Sequence, residues 1–109
     1  MISWDEIDTV LLDMDGTLID LNYDNTLWNE HLPLRYAAAH GLESSEASAL
    51  LYGAAMADLP KLHYYSVDYW KRRTQLDIDC LHRDLSHLIH YRPNADVFIK
   101  YLHKTGRRA

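Results

Sequence analysis

Cysteine is almost absent from this chain. Cys80 stands alone, so no intrachain disulfide can form, and a reducing, cytoplasmic setting is the natural expectation. No apolar run approaches the roughly 20 residues that a bilayer-spanning helix needs. The opening Met1-Ile2-Ser3-Trp4-Asp5-Glu6 has neither the basic flank nor the apolar core of a secretory signal. Positive charge is short as well: eleven Lys and Arg against sixteen Asp and Glu leave a formal net charge of −5. Nucleic acid is therefore not expected as a partner, because phosphate backbones call for a basic face, and neither is a membrane. The local exception, Lys104, Arg107 and Arg108, reads as cations following the end of a helix. Repeats, low-complexity tracts and long linkers are also missing. What is present is a globular composition, 48% hydrophobic, in 109 residues, which is room for one domain.

Strands are scarce too. Thr9 to Leu12 is too short for a helix and rich enough in β-branched and apolar residues to be a buried strand. Its unbroken apolar character suits a parallel sheet covered on both faces. Gly16 should break it, with Thr17 to Asn22 as a tight loop. Everything after that reads as helix. A first helix is expected over about Asp24 to His40, capped by Asp24 or Asn25, kinked or split at Pro33 and stopped by Gly41. A second should run from Ser45 to Asp58 and close at Pro60. A third should cover Ser66 to Gln75. A fourth, capped by Asp79, carries Leu81, Leu85, Leu88 and Ile89 at helical spacing. Pro93 then suits the first turn of a fifth helix bearing Val97, Phe98, Tyr101 and Leu102, which Gly106 ends. One buried-type strand with no partner leaves backbone groups unsatisfied, so the chain reads as part of something larger.

The chemistry concentrates where that strand ends, at Asp13-Met14-Asp15-Gly16-Thr17. Asp-x-Asp-Gly-Thr arises by chance in roughly one chain in a thousand of this length. A strand ending in two carboxylates places them at the edge where open α/β folds bind ligands. Asp13 suits a nucleophile that attacks a phosphoryl group, and Asp15 an acid that protonates the leaving oxygen and later accepts a proton from water. Hard oxygen donors suit Mg²⁺, which also offsets charge on phosphoryl oxygens. Gly16 permits the sharp reversal, and the Thr17 hydroxyl can hydrogen-bond near the carboxylates.

Val10-Leu11-Leu12-Asp13-Met14-Asp15-Gly16-Thr17-Leu18-Ile19-Asp20 resembles the first motif of haloacid dehalogenase-like hydrolases. Leu11 to Trp28, Asp68-Tyr69-Trp70 and Leu76-Asp77-Ile78 are similar to that family's bacterial GMP/IMP nucleotidase branch. The resemblance implies an α/β, Rossmann-like core whose first strand and inserted helical cap make up this mostly helical chain. Residues 1–23 and 92–109 would belong to the partial core and 24–91 to the cap. It also implies Asp13 as nucleophile and Asp15 as acid/base, with the Asp13 carboxylate and Asp15 backbone carbonyl on Mg²⁺, Gly16 and Thr17 in the phosphate loop, and GMP or IMP as substrate. The family's later groups, a Ser or Thr, a Lys and an acidic pair, find no counterpart here. Lys104 to Arg108 falls where the helix before a second strand would end. A shortened chain with little activity of its own is the expectation, with the missing half or a second copy as its partner. The alternatives are a non-catalytic helical interaction module or a frameshift remnant.

Blander readings stand beside these. Asp20 and Asp24 read as loop and capping residues. His87 and His90 lack an evident third metal ligand and read as surface histidines. Tyr64, Tyr65, Tyr69 and Trp70 could stack a purine but read first as packing between helices. Cys80 reads as an inert thiol.

Overall fold

The computed structural model describes residues 1–59 and 61–109, and in it the chain divides into two compact units, residues 1–23 with 88–109, and residues 24–87. Among the described residues there is no paired strand, and no helix is long and apolar enough to cross a membrane.

The buried strand expected at Thr9 to Leu12 does not form. Thr9 makes a single parallel bridge to Arg108, through Arg108 N donating to Asp8 O at 2.9 Å and Val10 N donating to Arg108 O at 2.8 Å. Leu11 is 92% exposed. A strand needs neighbours along its whole length to satisfy its backbone, and among the described residues this segment has one, at one register position. The same unit holds α6, Ala95–Lys104, of which only Ala95 and Leu102 are buried. Gly106 follows the helix with φ +73, the left-handed geometry that a helix stop requires.

The ends of this unit are clamped by Arg107. Its guanidinium donates to Ile7 O and Trp4 O at 2.9 and 3.0 Å and lies 4.7 Å from the centre of the Trp4 ring. Trp4 Nε1 donates to the Tyr101 hydroxyl at 3.0 Å, and the ring also faces Phe98. The outward face of α6 is thus partly roofed by the chain's first residues.

Among its described residues the second unit is built of helices and the turns between them. α1, Leu21–Thr26, starts three residues before the expected Asp24, because Asp20 Oδ1 accepts from Asn22 N at 2.7 Å and caps it. Asp24 instead accepts from Trp28 Nε1 at 3.0 Å. A π-turn, Leu27–His31, leads directly into α2, Leu32–His40. Pro33 explains it: proline has no N–H to donate one α-turn back, and its ring would strike that carbonyl. The helix widens instead, and Leu32 N donates five residues back to Leu27 O. Gly41, at φ +65, ends α2 as expected.

α3, Ser44–Asp58, packs on α2 through Ala47, Leu51 and Ala54. Its expected closure at Pro60 lies outside the described residues. α4, Val67–Thr74, is capped by Ser66, whose hydroxyl accepts from Tyr69 N. α5, Ile78–Asp84, is capped by Asp77 rather than Asp79: Asp77 Oδ1 accepts from Cys80 N at 3.0 Å. Asp79 is held by Lys71. α5 also ends sooner than the Leu81–Ile89 periodicity suggests. The chain passes into a 3₁₀ turn at Ser86–Leu88, and Ile89 is exposed.

The core of this unit gathers Leu27, Leu32, Leu51, Trp70, Ile78 and Leu81. Trp70 is 4% exposed, donates its Nε1 to Tyr64 O at 2.7 Å and meets the rings of Trp28, Tyr64 and Tyr69 edge-on. Tyr64, Tyr69 and Trp70 thus pack together, the blander of the two readings, whereas Tyr65 meets Tyr64 and is largely exposed. Thr74, fully buried, satisfies its hydroxyl by donating to Trp70 O at 2.7 Å.

Candidate active site

The motif folds into a loop that bonds chiefly to itself. Met14 O accepts from three amides, those of Thr17, Leu18 and Ile19, at 3.3, 2.9 and 3.0 Å. Gly16 N donates to Ile19 O at 2.8 Å, and Asp15 pairs with Ile19 in a one-residue bridge. Gly16 is what lets the chain turn, for its φ of +79 lies in the left-handed region. A side chain there would also meet Leu21, whose Cγ and Cδ1 lie 3.2 Å from the position of a Cβ.

The end of the loop and the residue after it are tied to a distant part of the sequence in the same unit. Asp20 N donates to His90 O and Arg92 N to Leu18 O, both at 2.8 Å, while Ile19 pairs antiparallel with Tyr91. Residues 88–91 therefore cluster with the loop and not with the helical unit. Sequence reasoning singled out neither this pairing nor Leu21. Nothing local announces a contact across seventy residues.

Asp13, Asp15 and Thr17 are all exposed. Two carboxylates of this kind are hard oxygen donors, and their chemistry fits Mg²⁺, which keeps several of its waters. They are not a complete set: among the described residues no group of three His, Cys, Asp or Glu side chains converges to hold a metal ion. That holds for His87 and His90 as well. Nor does a hydrogen bond among the described residues join the Thr17 hydroxyl to either aspartate, and no salt bridge reaches Asp13 or Asp15. The loop is shaped and accessible, and among the described residues no ion pair balances the charge it presents.

A different ionisable group occurs in the helical unit, and sequence reasoning did not find it. Asp58, at the end of α3, receives the Tyr69 hydroxyl on Oδ2, while His63 Nε2 lies 3.0 Å from its Oδ1. The His63 and Tyr69 rings are 4.6 Å apart. The bond from His63 is the main cause that holds the Asp58 carboxyl below its usual range, with the Tyr69 bond next and burial opposing both. Asp58 in turn pushes the Tyr69 phenol up. The cluster fastens the segment between α3 and α4, and that segment carries Tyr64, the acceptor for Trp70.

No protein-family model matches the chain, and no solved structure does. Among curated proteins it is 33% identical over 107 residues to the GMP/IMP nucleotidase YrfG of Escherichia coli strain K12, and likewise to that of Shigella flexneri. The similarity extends over 98% of this chain and 48% of each nucleotidase. The resemblance to the GMP/IMP nucleotidase branch is thus shown along nearly the whole chain, and the chain spans about half the length of the curated relatives it matches.

Proposed function

We propose that these residues carry the nucleophile, the acid/base and the helical cap of a Mg²⁺-dependent phosphate monoester hydrolase. Its substrate is a purine nucleoside 5′-monophosphate, GMP or IMP. The observation that carries the reading is the self-bonded loop from Met14 to Ile19, a turn only glycine makes easily, which presents an accessible Asp15 carboxylate with that of Asp13 just before it. The similarity to two GMP/IMP nucleotidases supports the substrate.

In this reading a carboxylate oxygen of Asp13 attacks phosphorus, the bond from phosphorus to the ribose O5′ breaks, and Asp15 gives its proton to that oxygen. Asp15, now ionised, takes a proton from water as the water oxygen attacks phosphorus. The bond from phosphorus to Asp13 then breaks, releasing inorganic phosphate. Gly16 and Thr17 border the phosphoryl group, with the exposed Thr17 side chain facing it while their amides are held within the loop. The Asp13 carboxylate and the Asp15 backbone carbonyl would hold Mg²⁺, which would supply charge neutralisation for the phosphoryl oxygens. The helical unit, residues 24–87, serves as the cap.

The 109 residues by themselves turn over little or no substrate. A charge-balancing cation and further metal ligands have to come from outside them, and losing one preorganised donor of this kind costs about 3–4 kcal/mol of transition-state stabilisation. The half of the nucleotidases that this chain does not match is the natural source. Two measurements test the proposal. Purified chain with Mg²⁺ and GMP should release no phosphate beyond that of an Asp13→Asn control. In amide NMR spectra, Mg²⁺ should shift residues 13–17 and leave Asp13→Asn unmoved. Shifts that survive Asp13→Asn would remove the metal from this loop, and vigorous Asp13-dependent hydrolysis would show that two carboxylates suffice.

A further inference from the structure

Backbone bonds alone bring one cation to the candidate loop. Ile19 stands opposite Tyr91 in antiparallel register, so Arg92 stands opposite Leu18, the residue after Thr17. Both backbone groups of Arg92 are engaged: its N–H donates to Leu18 O at 2.8 Å, and its carbonyl accepts from Ala95 N at 3.0 Å. Leu18 N donates in turn to Met14 O inside the loop. Pro93 keeps the residue before it extended and cannot carry the pairing further. The side chain is the opposite case. Arg92 is exposed, and among the described residues its guanidinium makes no ion pair and no hydrogen bond. We propose that Arg92 is a phosphate-binding residue of this site, its guanidinium reaching from a backbone fixed on the loop to take the incoming phosphate monoester as a bidentate pair.

Position and charge select this residue and this ligand. The other Lys and Arg of the unit, Lys100, Lys104, Arg107 and Arg108, lie on α6 or beyond it. Arg107 is engaged by Ile7 O and Trp4 O, and Arg108 lies 3.8 Å from Asp8. Arg92 pairs with neither Asp13 nor Asp15. Both carboxylates therefore stay open to metal and phosphorus, and Arg92 does not replace the balancing cation that comes from elsewhere. An anionic phosphate approaching two carboxylates is repelled, and a cation beside them offsets that repulsion as the substrate arrives. Arginine suits the task because its planar fork meets two phosphate oxygens at once. This role rests on the reading of the loop as a phosphoryl-transfer site, and it concerns capture of the substrate, not the transfer itself.

Phosphate binding by the intact chain tests it, followed by NMR at the Arg92 Nε–H group and the Thr17 and Leu18 amides, without Mg²⁺ and at constant ionic strength. Inorganic phosphate should shift all three saturably, with a dissociation constant of about 1–10 mM. GMP should do the same, and guanosine should not. Arg92→Ala should weaken binding at least about tenfold. It should leave exchange of the Asp20 amide, bonded to His90 O, unaltered, since the pairing is made by backbone. Lys104→Ala, on α6, and Asp13→Asn should not weaken binding. The assignment is overturned if Arg92 shows no saturable shift, or if the Thr17 and Leu18 shifts survive Arg92→Ala. It is equally overturned if guanosine or an equal ionic strength of chloride reproduces those shifts, or if Lys104→Ala or Asp13→Asn removes them. The Mg²⁺ titration is a separate readout: Mg²⁺ failing to shift residues 13–17 while phosphate still shifts Arg92 would remove the hydrolase reading and leave the phosphate site standing.

Discussion

Replacing Gly16 by alanine tests whether the loop owes its shape to glycine or to what surrounds it. Two costs apply. The left-handed backbone, at φ +79, costs about 1–2 kcal/mol for a residue with a Cβ. The new methyl would then sit 3.2 Å from Leu21 Cγ and Cδ1. Leu21 is 42% exposed and can swing aside, at about 0.5 kcal/mol for a displaced rotamer. The sum, about 2 kcal/mol, corresponds to roughly a thirtyfold change in a local opening equilibrium. Gly41→Ala serves as the reference, because Gly41 has φ +65 and nothing within 4 Å of a Cβ. It should carry the backbone cost alone, roughly tenfold. The assay is amide hydrogen exchange. In Gly16→Ala the Leu18 and Ile19 amides, both bonded to Met14 O, should exchange about thirty times faster while the Trp70 amide keeps its rate. In Gly41→Ala the Leu42 amide, bonded to Ala37 O, should quicken about tenfold. An acceleration below about twofold at Leu18 and Ile19, or an equal one at Trp70, would refute a loop held by its own hydrogen bonds.

Three further outcomes follow from the packing. Trp70→Ala removes a nearly buried indole and the bond to Tyr64 O, and should cost about 3–5 kcal/mol in urea denaturation of the helical unit. Asp58 has a folded value depressed below its ordinary 3.8, so its contribution is present above that value and lost as pH falls through the lower one; Asp58→Asn should flatten the dependence of melting temperature on pH between about 5 and 3. Arg107→Ala removes two bonds to the backbone of residues 4 and 7, and should loosen the register beside it, seen as faster exchange of the Val10 amide, which Arg107→Lys restores at most in part.

What the sequence disclosed is what short-range forces decide. Gly41 and Gly106 stop helices because only a residue without a Cβ takes a left-handed turn without strain, and both do so here. Ser66 caps α4 for an equally local reason. At α5 the same reasoning slipped by two residues. Asp77 and Asp79 are both good caps, and the choice was made by Lys71, eight residues before Asp79, which takes it as an ion pair. The Asp58, His63 and Tyr69 cluster was out of reach for a similar reason, since its members lie five and eleven residues apart and on different elements. The failure at Thr9 to Leu12 is of another kind. Composition marks Thr9 to Leu12 as a buried-type strand, but pairing is a property of neighbours, and the described residues offer it only Arg108. At the candidate site the glycine turn was legible. The three amides on Met14 O and the pairing of Leu18 to Asp20 with His90 to Arg92 were not.

That contrast bears on how such a site can be built. The loop from Met14 to Ile19 makes four backbone bonds within six residues, three to Met14 O and one to Ile19 O, and takes one more from Arg92 N on Leu18 O, so most of its shape does not wait on the rest of a sheet. The segment before it cannot do the same: its amides and carbonyls, and an almost fully exposed Leu11, need flanking strands. The nucleophile sits at the junction of the two. Asp13 is the last residue before the self-supporting turn and inherits its position from the unsupported side. Catalysis by placement depends on holding reacting atoms to within about 1 Å. A preformed loop therefore contributes the local geometry of Asp15, Gly16 and Thr17, while the aim of Asp13 depends on whatever pairs with residues 10–12. Adding such a partner should sharpen the exchange protection of Val10 and Leu12 greatly and that of Leu18 and Ile19 hardly at all. If all four amides gained protection together, the loop and the strand would be one cooperative unit, and the loop would not be self-supporting.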